Sequence, residues 1–334
     1  MQNNTSAHKP SCWVVTEGLK GTENQCLGVA KALEIEPLVK QISLRQPWHS
    51  LSPPLLYTHR CAFMPPLEAP WPDILIASGR KSILASLYIK KKSRGDCLTV
   101  QLQDPRISPD YFDIVAVPAH DPLRAQNVIV TDGAPNQVTP ELLKSAREKF
   151  TPVFGNLPEM RIGVLIGGGS KVYEMTEQDT EHLVHQLLKM QEKYDVSLMI
   201  TASRRTGEKN VNYLREKLKG KDIYFWNEQG ENPYLGILAW ADILIVSEDS
   251  VSMISEAAST GKPVYKISLT GGGRRITKFH EHLKSKGILR NFQGDLEKWS
   301  YTPLQDSQKV ARKIKEKLNT KTTNYQKASL LSEA

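Results

Sequence analysis

Residues 240–267 predict a strand, a loop, a helix, a turn and a second strand in direct succession. Residues 241–246 are an apolar run rich in β-branched side chains, as in a strand buried on both faces, and residues 264–267 form another. The helical pattern at 251–259 follows a polar loop with capping residues and ends at Gly261 and Pro263. The segment is therefore a βαβ unit with parallel strands, since a helical crossover returns the chain to the same end of the sheet.

The loop of such a unit lies at the carboxyl edge of the sheet, where open α/β sheets bind ligands. Free amides at a helix N-terminus favour an anion there, often a phosphate. Glu256 follows one or two turns into the helix, within reach of a sugar hydroxyl. On this segment alone, a ligand site and an ordinary well-capped βαβ unit are equally good interpretations.

The same pattern recurs along the chain. Further buried strands are predicted at residues 13–15, 73–77, 98–102, 112–117 and 128–130, and then at 161–166, 196–201 and 223–226. Most of them end in polar loops, and helices separate several of them. The predicted fold class is α/β, with two doubly wound Rossmann-like domains facing a cleft.

A chain of 334 residues suits two domains of ordinary size. We predict a flexible N-terminus at 1–11, a first domain at 12–152 and a second domain at 153–306. The first domain includes a Pro- and Trp-rich excursion at 46–72, and the pattern of strands restarts after 151–159. A basic helix at 307–318 and a disordered tail at 319–334 complete the prediction.

Composition favours a cytoplasmic protein, either free or peripheral at a membrane surface. The sequence contains no run of about twenty apolar residues, and its start resembles neither a secretory nor a mitochondrial targeting signal. Its four cysteines are scattered without metal-ligand spacing, and Cys12 and Cys97 are expected to be core thiols. This pattern indicates a reducing compartment.

The net charge of +8 is concentrated near the C-terminus. Residues 273–321 hold thirteen Lys and Arg against five acids, which accounts for the whole excess. Such a segment suits an anionic membrane or a phosphorylated ligand, although most of these side chains can equally be a solvated helix face. No aromatic-interleaved RNA-binding motif accompanies them, so no nucleic-acid partner is expected.

Loops at the predicted carboxyl edges supply the candidate ligand-binding residues, because glycines admit a ligand to the backbone and Arg recognises phosphate or carboxylate. In the first half these are Gly18, Gly21, Glu23, Asn24, Gln25, Ser78, Gly79, Arg80 and Arg106. In the second half they are Gly167, Gly168, Gly169, Ser170, Ser203, Arg204, Arg205, Glu231, Asn232, Asp249, Ser250, Ser252, Met253 and Glu256.

Simpler interpretations of these loops remain open. The first loop can be a capped turn that needs glycine, and Arg204 and Arg205 can form ion pairs between domains. Asp249 suits a phosphate site only if it caps the helix or pairs with one of these arginines. The spacing of glycines matches neither the GxGxxG nor the GxxxxGK[ST] fingerprint, and no Tyr-x-x-x-Lys pair stands out, which argues against a dinucleotide enzyme or an ATPase.

Motifs spread over residues 12–305 together resemble the mitochondrial-fission "elongated mitochondria" family of plants and bacteria. They are Trp13-Val14-Val15-Thr16-Glu17-Gly18, Gly21-x-Glu23-Asn24-Gln25-x-x-Gly28, Ala77-Ser78-Gly79-Arg80, Gln101-x-Gln103-Asp104-Pro105-Arg106, Pro118-x-His120-Asp121, Ile166-Gly167-Gly168, Thr201-x-Ser203-Arg204-Arg205-Thr206, Gly230-Glu231-Asn232-Pro233-Tyr234, Asp249-Ser250-Val251-Ser252-Met253-x-Ser255-Glu256-Ala257 and Gly261-Lys262-Pro263-Val264-Tyr265. The first loop departs from the family pattern, since Glu17 and Leu19 stand where Asp and Lys are expected.

That family in turn resembles glycosyltransferases of the GT-B kind, which implies a sugar donor on residues 161–305 and an acceptor on 12–150. Glu256 would then hold the donor's ribose, and the loops at Gly167–Ser170 and Asp249–Ser250 would face its pyrophosphate. Glu17, Asp104 and His120, each at a strand end, are the candidate catalytic bases. No metal or other cofactor is expected beyond a nucleotide-sugar co-substrate, because helix dipoles and basic groups stabilise a leaving diphosphate.

Two functions therefore compete. The first is a metal-independent glycosyltransferase that binds a nucleotide-sugar or related phosphorylated ligand in the inter-domain cleft. The second is a non-catalytic, membrane-associated adaptor, because the resemblance implies recruitment of a dynamin-like GTPase to the outer mitochondrial membrane in plants. A dynamin-like partner is expected only for a eukaryotic chain.

Overall fold

The computed structural model describes residues 9–50 and 59–321 with their side chains, and residues 322–332 by their backbone. Residues 1–8 of the predicted N-terminal segment and 51–58 of the Pro- and Trp-rich excursion lie outside this description, as do the last two residues of the tail. The described chain divides into two compact units. The first unit holds the residues up to Thr131, Pro135–Gln137 and those from Gln305 onward, and the second holds Asp132–Ala134 and Val138–Leu304.

Strands and helices alternate through most of the described chain. The strands are β1 (Cys12–Thr16), β2 (Leu38–Gln41), β3 (Ser43–Leu44), β4 (Phe63–Met64), β5 (Ile74–Ser78), β6 (Leu98–Leu102), β7 (Ile114–Pro118), β8 (Val128–Thr131), β9 (Arg161–Ile166), β10 (Tyr173–Glu174), β11 (Ser197–Ala202), β12 (Ile223–Phe225), β13 (Ile243–Ser247), β14 (Val264–Ile267), β15 (Thr270–Gly271) and β16 (Leu289–Asn291). The helices are α1 (Lys20–Ala32), α2 (Ser82–Lys92), α3 (Pro140–Lys149), α4 (Thr151–Phe154), α5 (Glu177–Tyr194), α6 (Glu208–Lys217), α7 (Tyr234–Trp240), α8 (Val251–Ser259), α9 (Arg274–Ser285) and α10 (Asp306–Ser332).

The first unit is built on a six-stranded sheet in the order β2-β1-β5-β6-β7-β8, with every neighbouring pair parallel. The chain starts at β1, moves to β2 on one side and then continues from β5 on the other. The strand order therefore reverses between β1 and β5, which makes the gap between their carboxyl ends a topological switch point.

The second unit repeats this plan with the order β12-β11-β9-β13-β14-β16, again parallel throughout. Here the order reverses between β9 and β13. All residues of β13 and all but the first of β9 are buried, because strands in the middle of a parallel sheet are covered on both faces. The prediction of two doubly wound α/β domains is confirmed.

The βαβ segment has the structure that its sequence predicts. Helix α8 begins after Ser250, whose Oγ accepts a hydrogen bond from Met253 N at 3.3 Å. Gly261 follows the helix with φ +77, and β14 then pairs in parallel with β13. The cap at Ser250 begins the helix, and Gly261 in the left-handed region with Pro263 beyond it ends the helix, as the sequence indicates.

The boundary between the units differs from the predicted boundary at residue 152. Helices α3 and α4 belong to the second unit, where Phe150 and Phe154 join its hydrophobic core. Gly236 in α7 permits this packing, since a Cβ there would lie 2.5 Å from the Phe150 ring. Arg147 lies over the Trp240 ring at 4.2 Å and accepts a hydrogen bond from the indole through its carbonyl oxygen at 2.9 Å.

Helix α10 also departs from the prediction. The helix reaches Ser332, whereas the sequence predicted an end at 318 and a disordered tail from 319. The apolar spacing of Val310, Ile314 and Leu318 ends there, but the chain contains no Gly or Pro after Pro303, so nothing in its backbone stops the helix. The helix packs against α1 and belongs to the first unit.

Two predictions from composition can be compared with the structure. Cys12 and Cys97 are buried as predicted, and burial raises the pKa of each thiol to about 12. Among the described helices, none combines the length and the apolar character needed to cross a bilayer.

The α10 packing gives a test of the assignment of this helix to the first unit. Ile314→Ala removes a fully buried side chain from the core shared with β1 and α1. We expect a loss of about 2–5 kcal/mol in the free energy of unfolding, measured by urea denaturation of the full chain. Lys315→Ala changes an exposed neighbour and should stay within about 0.5 kcal/mol. Equal effects of the two substitutions would show that the helix is not docked.

Candidate functional site

Three loops meet at the switch point of the second unit. They are the loop Gly167–Gly169 after β9, the loop Ser203–Thr206 after β11 and the loop Glu248–Ser250 after β13. Since β9 lies between β11 and β13 in the sheet, the carboxyl ends of these strands bring the loops side by side. We call the three loops and the first turn of α8 the switch-point cluster.

Glycine is required where these loops touch. Gly167 N donates a hydrogen bond to Ser247 Oγ at 2.6 Å, and a Cβ on Gly167 would lie 2.3 Å from Asp249 Oδ1. Gly168 has φ +135, and a Cβ there would lie 2.2 Å from the carbonyl oxygen of Arg205. Any side chain at either position would push the loops apart.

Asp249 is the centre of the cluster. Its side chain is fully buried, and Ser247 Oγ donates to its Oδ1 at 2.7 Å. Arg205 Nη1 lies 2.6 Å from Oδ2, where it makes an ion pair without the angle of a directed hydrogen bond. Asp249 therefore pairs with an arginine, as its presence beside a phosphate site would require. The described ion pair of Arg205 lies within the second unit and not between domains.

Most hydroxyl groups of the cluster hold the loops to one another. Ser203 Oγ donates to Gly167 O at 2.7 Å and accepts from Arg205 N at 3.2 Å, while Thr206 Oγ1 donates to the same carbonyl at 2.5 Å. Ser170 Oγ accepts from two amides of its own loop, at 3.1 and 3.3 Å. These side chains therefore shape the site through the backbone.

Donors that remain available lie on the solvent side of Asp249. Arg204 is exposed, and Arg205 is 44% exposed and has further N–H groups beyond its ion pair. Within the described part of the chain, the amides of Val251 and Ser252 in the first turn of α8 have no acceptor. Guanidinium groups and helix N-terminal amides are the donors that bind phosphate.

Glu256 lies farther along α8 and is half-buried. Burial raises the pKa of its carboxyl from 4.5 to about 7, and the hydrogen bond that Oε2 accepts from Tyr234 OH opposes this shift in part. The phenol pKa of Tyr234 is raised in turn by burial and by the Glu256 charge. The two side chains are hydrogen-bonded to each other, and both polar groups are largely removed from water.

The other sequence candidates in this unit have supporting contacts. Asn232 Oδ1 accepts from Tyr234 N at 2.9 Å and so fixes the start of α7. Glu231 forms an exposed ion pair with Lys149 at 2.5 Å. Ser252 and Met253 are half-buried in the first turn of α8.

In the first unit, Glu17 is tied to the loop after β5. Its Oε1 accepts from Lys81 N at 2.9 Å, and its Oε2 lies 3.4 Å from Lys81 Nζ. Gly79, with φ +96, makes room, since a Cβ there would lie 3.1 Å from Glu17 Oε1. Glu17 thus spans the switch point between β1 and β5.

The other two candidate bases follow the ends of β6 and β7. Asp104 Oδ1 accepts from Arg106 N at 2.8 Å, and its Oδ2 lies 3.3 Å from Arg106 Nε. His120 is half-buried just after β7. Glu17, Asp104 and His120 lie at the same edge of the sheet but follow different strands, with β5 between β1 and β6.

Candidates around α1 mainly hold neighbouring loops. Gly18 has φ +80 at the turn into α1, and Gly21 lies within the helix. Glu23 accepts from Gln41 Nε2 at 2.9 Å and lies 3.3 Å from Lys20 Nζ. Gln25 accepts from Gln103 at 3.1 Å, and Asn24 accepts from Gln137 at 3.3 Å.

Sequence reasoning missed the groups that pair with its candidates. Ser247, Thr206, Tyr234 and Lys81 each complete a contact described above. All of them contact a residue that is distant in sequence, although Ser247 also bonds Asp249 two residues away. It also missed a buried group in which Glu248 accepts from Lys266 and from Leu269 N, the latter at 2.9 Å. His280 Nδ1 lies 3.9 Å from the same carboxylate, and burial, followed by the Lys266 charge, lowers the His280 pKa to about 4. The only local signal was Glu248 beside Asp249.

The raised pKa of Glu256 predicts a pH dependence. In the folded chain this carboxyl keeps its proton up to about pH 7, whereas its ordinary pKa is 4.5. Because the folded state binds more protons in this window, the free energy of unfolding should fall as the pH rises through it. Glu256→Gln removes the dependence, so its stability relative to the wild type should rise by up to about 3 kcal/mol across the window.

Urea denaturation at a series of pH values measures this difference. Tyr234→Phe provides the matched control, because removal of the hydroxyl that lowers the Glu256 pKa should move the fall to higher pH. Parallel pH profiles for the wild type and Glu256→Gln would contradict the raised pKa.

The chain is similar to known proteins in sequence and in fold. A family profile described as "Mitochondrial fission ELM1" matches residues 20–318. The "Mitochondrial fission protein ELM1" of Arabidopsis thaliana is 33% identical over 278 residues, which make up 75% of this chain and 65% of that protein. The chain thus spans less than two thirds of the length of this relative. "Uncharacterized protein RP120" of Rickettsia prowazekii is 28% identical over 284 residues, covering 73% of this chain and 79% of that protein.

Solved structures of two UDP-GlcNAc 2-epimerases share the fold. The enzyme from Methanocaldococcus jannaschii has a TM-score of 0.54 at 12% identity, covering 92% of this chain and 99% of its own. The enzyme from Neisseria meningitidis, bound to UDP-GlcNAc, has a TM-score of 0.51 at 14% identity, covering 92% and 91%. At this level of identity the likeness concerns the GT-B-like fold alone.

Proposed function

The chain belongs to the Mitochondrial fission ELM1 family, and we propose that its second unit binds a nucleotide-sugar, or a related phosphorylated ligand, as the donor for sugar transfer. The observation that carries this proposal is the switch-point cluster. Glycine loops, a helix N-terminus and a half-exposed Arg205 lie together at the carboxyl edge of a parallel sheet. Ligands of open α/β folds bind at this place.

The diphosphate of such a ligand would lie outside the buried carboxylate of Asp249. Asp249 draws Arg205 toward the loops but leaves N–H groups of the guanidinium available. The amides of Val251 and Ser252 add the positive end of the α8 dipole. A UDP-GlcNAc 2-epimerase that binds UDP-GlcNAc shares the fold, which is in accord with such a ligand.

Glu256 would hold the ribose of the donor. Its Oε2 is engaged by Tyr234, so Oε1 is the atom left for a ribose hydroxyl. In this role the carboxyl accepts a hydrogen bond best when ionised, which links ligand affinity to a pKa of about 7.

The acceptor would bind to the first unit, where the proposed base is Glu17, Asp104 or His120. Glu17 and Asp104 form ion pairs in the described structure, with Lys81 and Arg106 respectively. A carboxylate used as a base would have to exchange this cation for the acceptor hydroxyl. The proposal requires no metal, because charge on the leaving diphosphate would be stabilised by guanidinium and amide donors.

Nucleotide binding tests the donor site. The full chain is titrated with UDP and UDP-GlcNAc by calorimetry, with ADP and inorganic phosphate as comparison ligands. Because Arg205→Gln alone would leave the buried Asp249 charge unpaired, the informative pair is Asp249→Asn and the double variant Arg205→Gln/Asp249→Asn. The double variant should bind UDP about 10- to 100-fold more weakly than Asp249→Asn, as expected for loss of a charge-assisted hydrogen bond.

Lys219→Gln is the control for the change in charge, since Lys219 is an exposed residue of the same unit. It should leave the UDP affinity unchanged. The donor proposal fails if the wild-type chain binds none of these nucleotides at millimolar concentration, or if Arg205 makes no difference.

An adaptor function is the second candidate, and one feature favours it. Over the part of α10 whose side chains are described, residues 306–321, five basic residues are exposed, of which Lys313 pairs with Glu316 at 3.0 Å. They are Lys309, Arg312, Lys313, Lys315 and Lys317. A cluster of this kind suits an anionic membrane surface, and on a membrane the chain could recruit a dynamin-like partner.

Vesicle flotation tests the adaptor proposal. Vesicles containing phosphatidylserine should bind the wild-type chain, and replacing Lys309, Arg312, Lys315 and Lys317 by Gln should weaken binding by on the order of 100-fold or more, at about 1 kcal/mol per basic residue. The control replaces four exposed lysines of the second unit, Lys189, Lys209, Lys219 and Lys221, by Gln. Equal losses would indicate a general charge effect, and no flotation of the wild type would rule the membrane out.

A further inference from the structure

The first unit contains a recess of about 260 Å³ at the carboxyl ends of β5 and β6. Its walls are the turn after β5, the first turn of α2 and the loop after β6, and its polar lining residues are Arg80, Gln101, Gln103, Asp104 and Arg106. A single water needs only about 10–15 Å³ of such space, whereas pockets for drug-sized ligands measure about 300–1,000 Å³. The recess therefore has the size for a ligand of about one sugar unit.

Among the described residues, the charges around the recess leave one cation without a partner. Arg106 is paired with Asp104 at 3.3 Å, and the neighbouring Lys81 is paired with Glu17 at 3.4 Å. Arg80 lines the recess and, within the described residues, makes no ion pair or hydrogen bond. The recess thus presents one free guanidinium, which recognises a phosphate or carboxylate through two parallel N–H bonds.

The recess also has groups that recognise hydroxyls. Gln101 is 1% exposed, and among the described residues its Oε1 has only a long contact of 3.5 Å with Ser86 Oγ. A buried amide oxygen with so weak a bond calls for a further donor. Gln103 uses its Nε2 for Gln25 at 3.1 Å and keeps its Oε1 as an acceptor. The apolar part of the lining comes from Ile83, Leu102 and Ile107.

The loops hold this lining in an uncommon backbone conformation. Gly79 has φ +96, and the non-glycine residues Gln103 and Arg106 have φ +72 and +59. Left-handed conformations at non-glycine residues are costly and persist where surrounding contacts enforce them. Here Arg106 N donates to Asp104 Oδ1 at 2.8 Å, and Gln103 N donates to Ala116 O at 2.8 Å. The recess is a preorganised feature of the loop and not a gap between mobile side chains.

We infer that this recess binds a small hydroxylated anion of about one hexose, a sugar phosphate or a sugar acid, with Arg80 on the anionic group and Gln101 and Gln103 on hydroxyls. Binding itself does not depend on the donor site of the second unit. Only the role of this anion as the sugar acceptor rests on the proposed function.

Calorimetric titration of the full chain with glucose 6-phosphate, gluconate, glucose and inorganic phosphate tests the inference. Glucose 6-phosphate or gluconate should bind at least tenfold more tightly than both glucose and phosphate, because only they engage Arg80 and the amides together. Arg80→Gln should weaken this binding about 10- to 100-fold. Arg80→Lys should have an intermediate effect, since it keeps the charge but loses the planar fork.

Arg94→Gln is the matched control, because Arg94 is exposed, belongs to the same unit and has no ion pair within the described chain. It should leave the affinity for glucose 6-phosphate unchanged. Gln103→Asn shortens the side chain by one methylene, and Asn tolerates the φ of +72 at this position. This variant should bind glucose 6-phosphate more weakly, with the affinity for phosphate unchanged.

Three outcomes would overturn the inference. These are no binding of either hydroxylated anion, phosphate binding as tightly as glucose 6-phosphate, and equal effects of Arg80→Gln and Arg94→Gln. UDP titration of the same samples separates this site from the donor site. If the wild-type chain binds UDP but no sugar phosphate, only the inference about the recess fails. If it binds sugar phosphate but no UDP, only the proposed donor site fails.

Discussion

The buried carboxylate of Asp249 is the group on which the loops of the second unit depend. It accepts a hydrogen bond from Ser247 Oγ and forms an ion pair with the Arg205 guanidinium. Its position leaves no room for a side chain on Gly167. A buried carboxylate is tolerated only when charge and hydrogen bonds compensate for its lost hydration. Satisfying this one group brings the ends of three parallel strands into a fixed arrangement, with donors left over on the solvent side.

In the first unit, the carboxylate of Glu17 has a similar role in joining loops at the carboxyl edge of the sheet. This carboxylate reaches from the loop after β1 to the amide and ammonium groups of Lys81 after β5, at the place where the strand order reverses. In each unit an internal acid thus orders the carboxyl-edge loops, and a neighbouring arginine, Arg205 or Arg80, remains able to meet an external anion. The negative charge beside each proposed anion site therefore has a structural role, because it holds the neighbouring loops together.

Much of this arrangement could be predicted because it follows from local rules. The alternation of buried strands and helices predicted two doubly wound domains, and the cap at Ser250 with the stop at Gly261 predicted α8. The contacts inside the candidate site could not be predicted in the same way. The hydrogen bonds from Tyr234 to Glu256 and from Lys81 to Glu17 each join different elements of the fold. The periodicity of the sequence does not indicate which loops come into contact.

The sequence by itself determined the fold class, the position of the βαβ segment and the loops that carry polar groups, since these depend on hydrophobic period and capping within short windows. Only the tertiary structure decided that α3 and α4 join the second unit and that α10 returns to the first, because long-range packing of Phe150, Phe154 and Ile314 fixes both. It also decided which acid pairs with which cation, a choice that depends on distance in space and on burial.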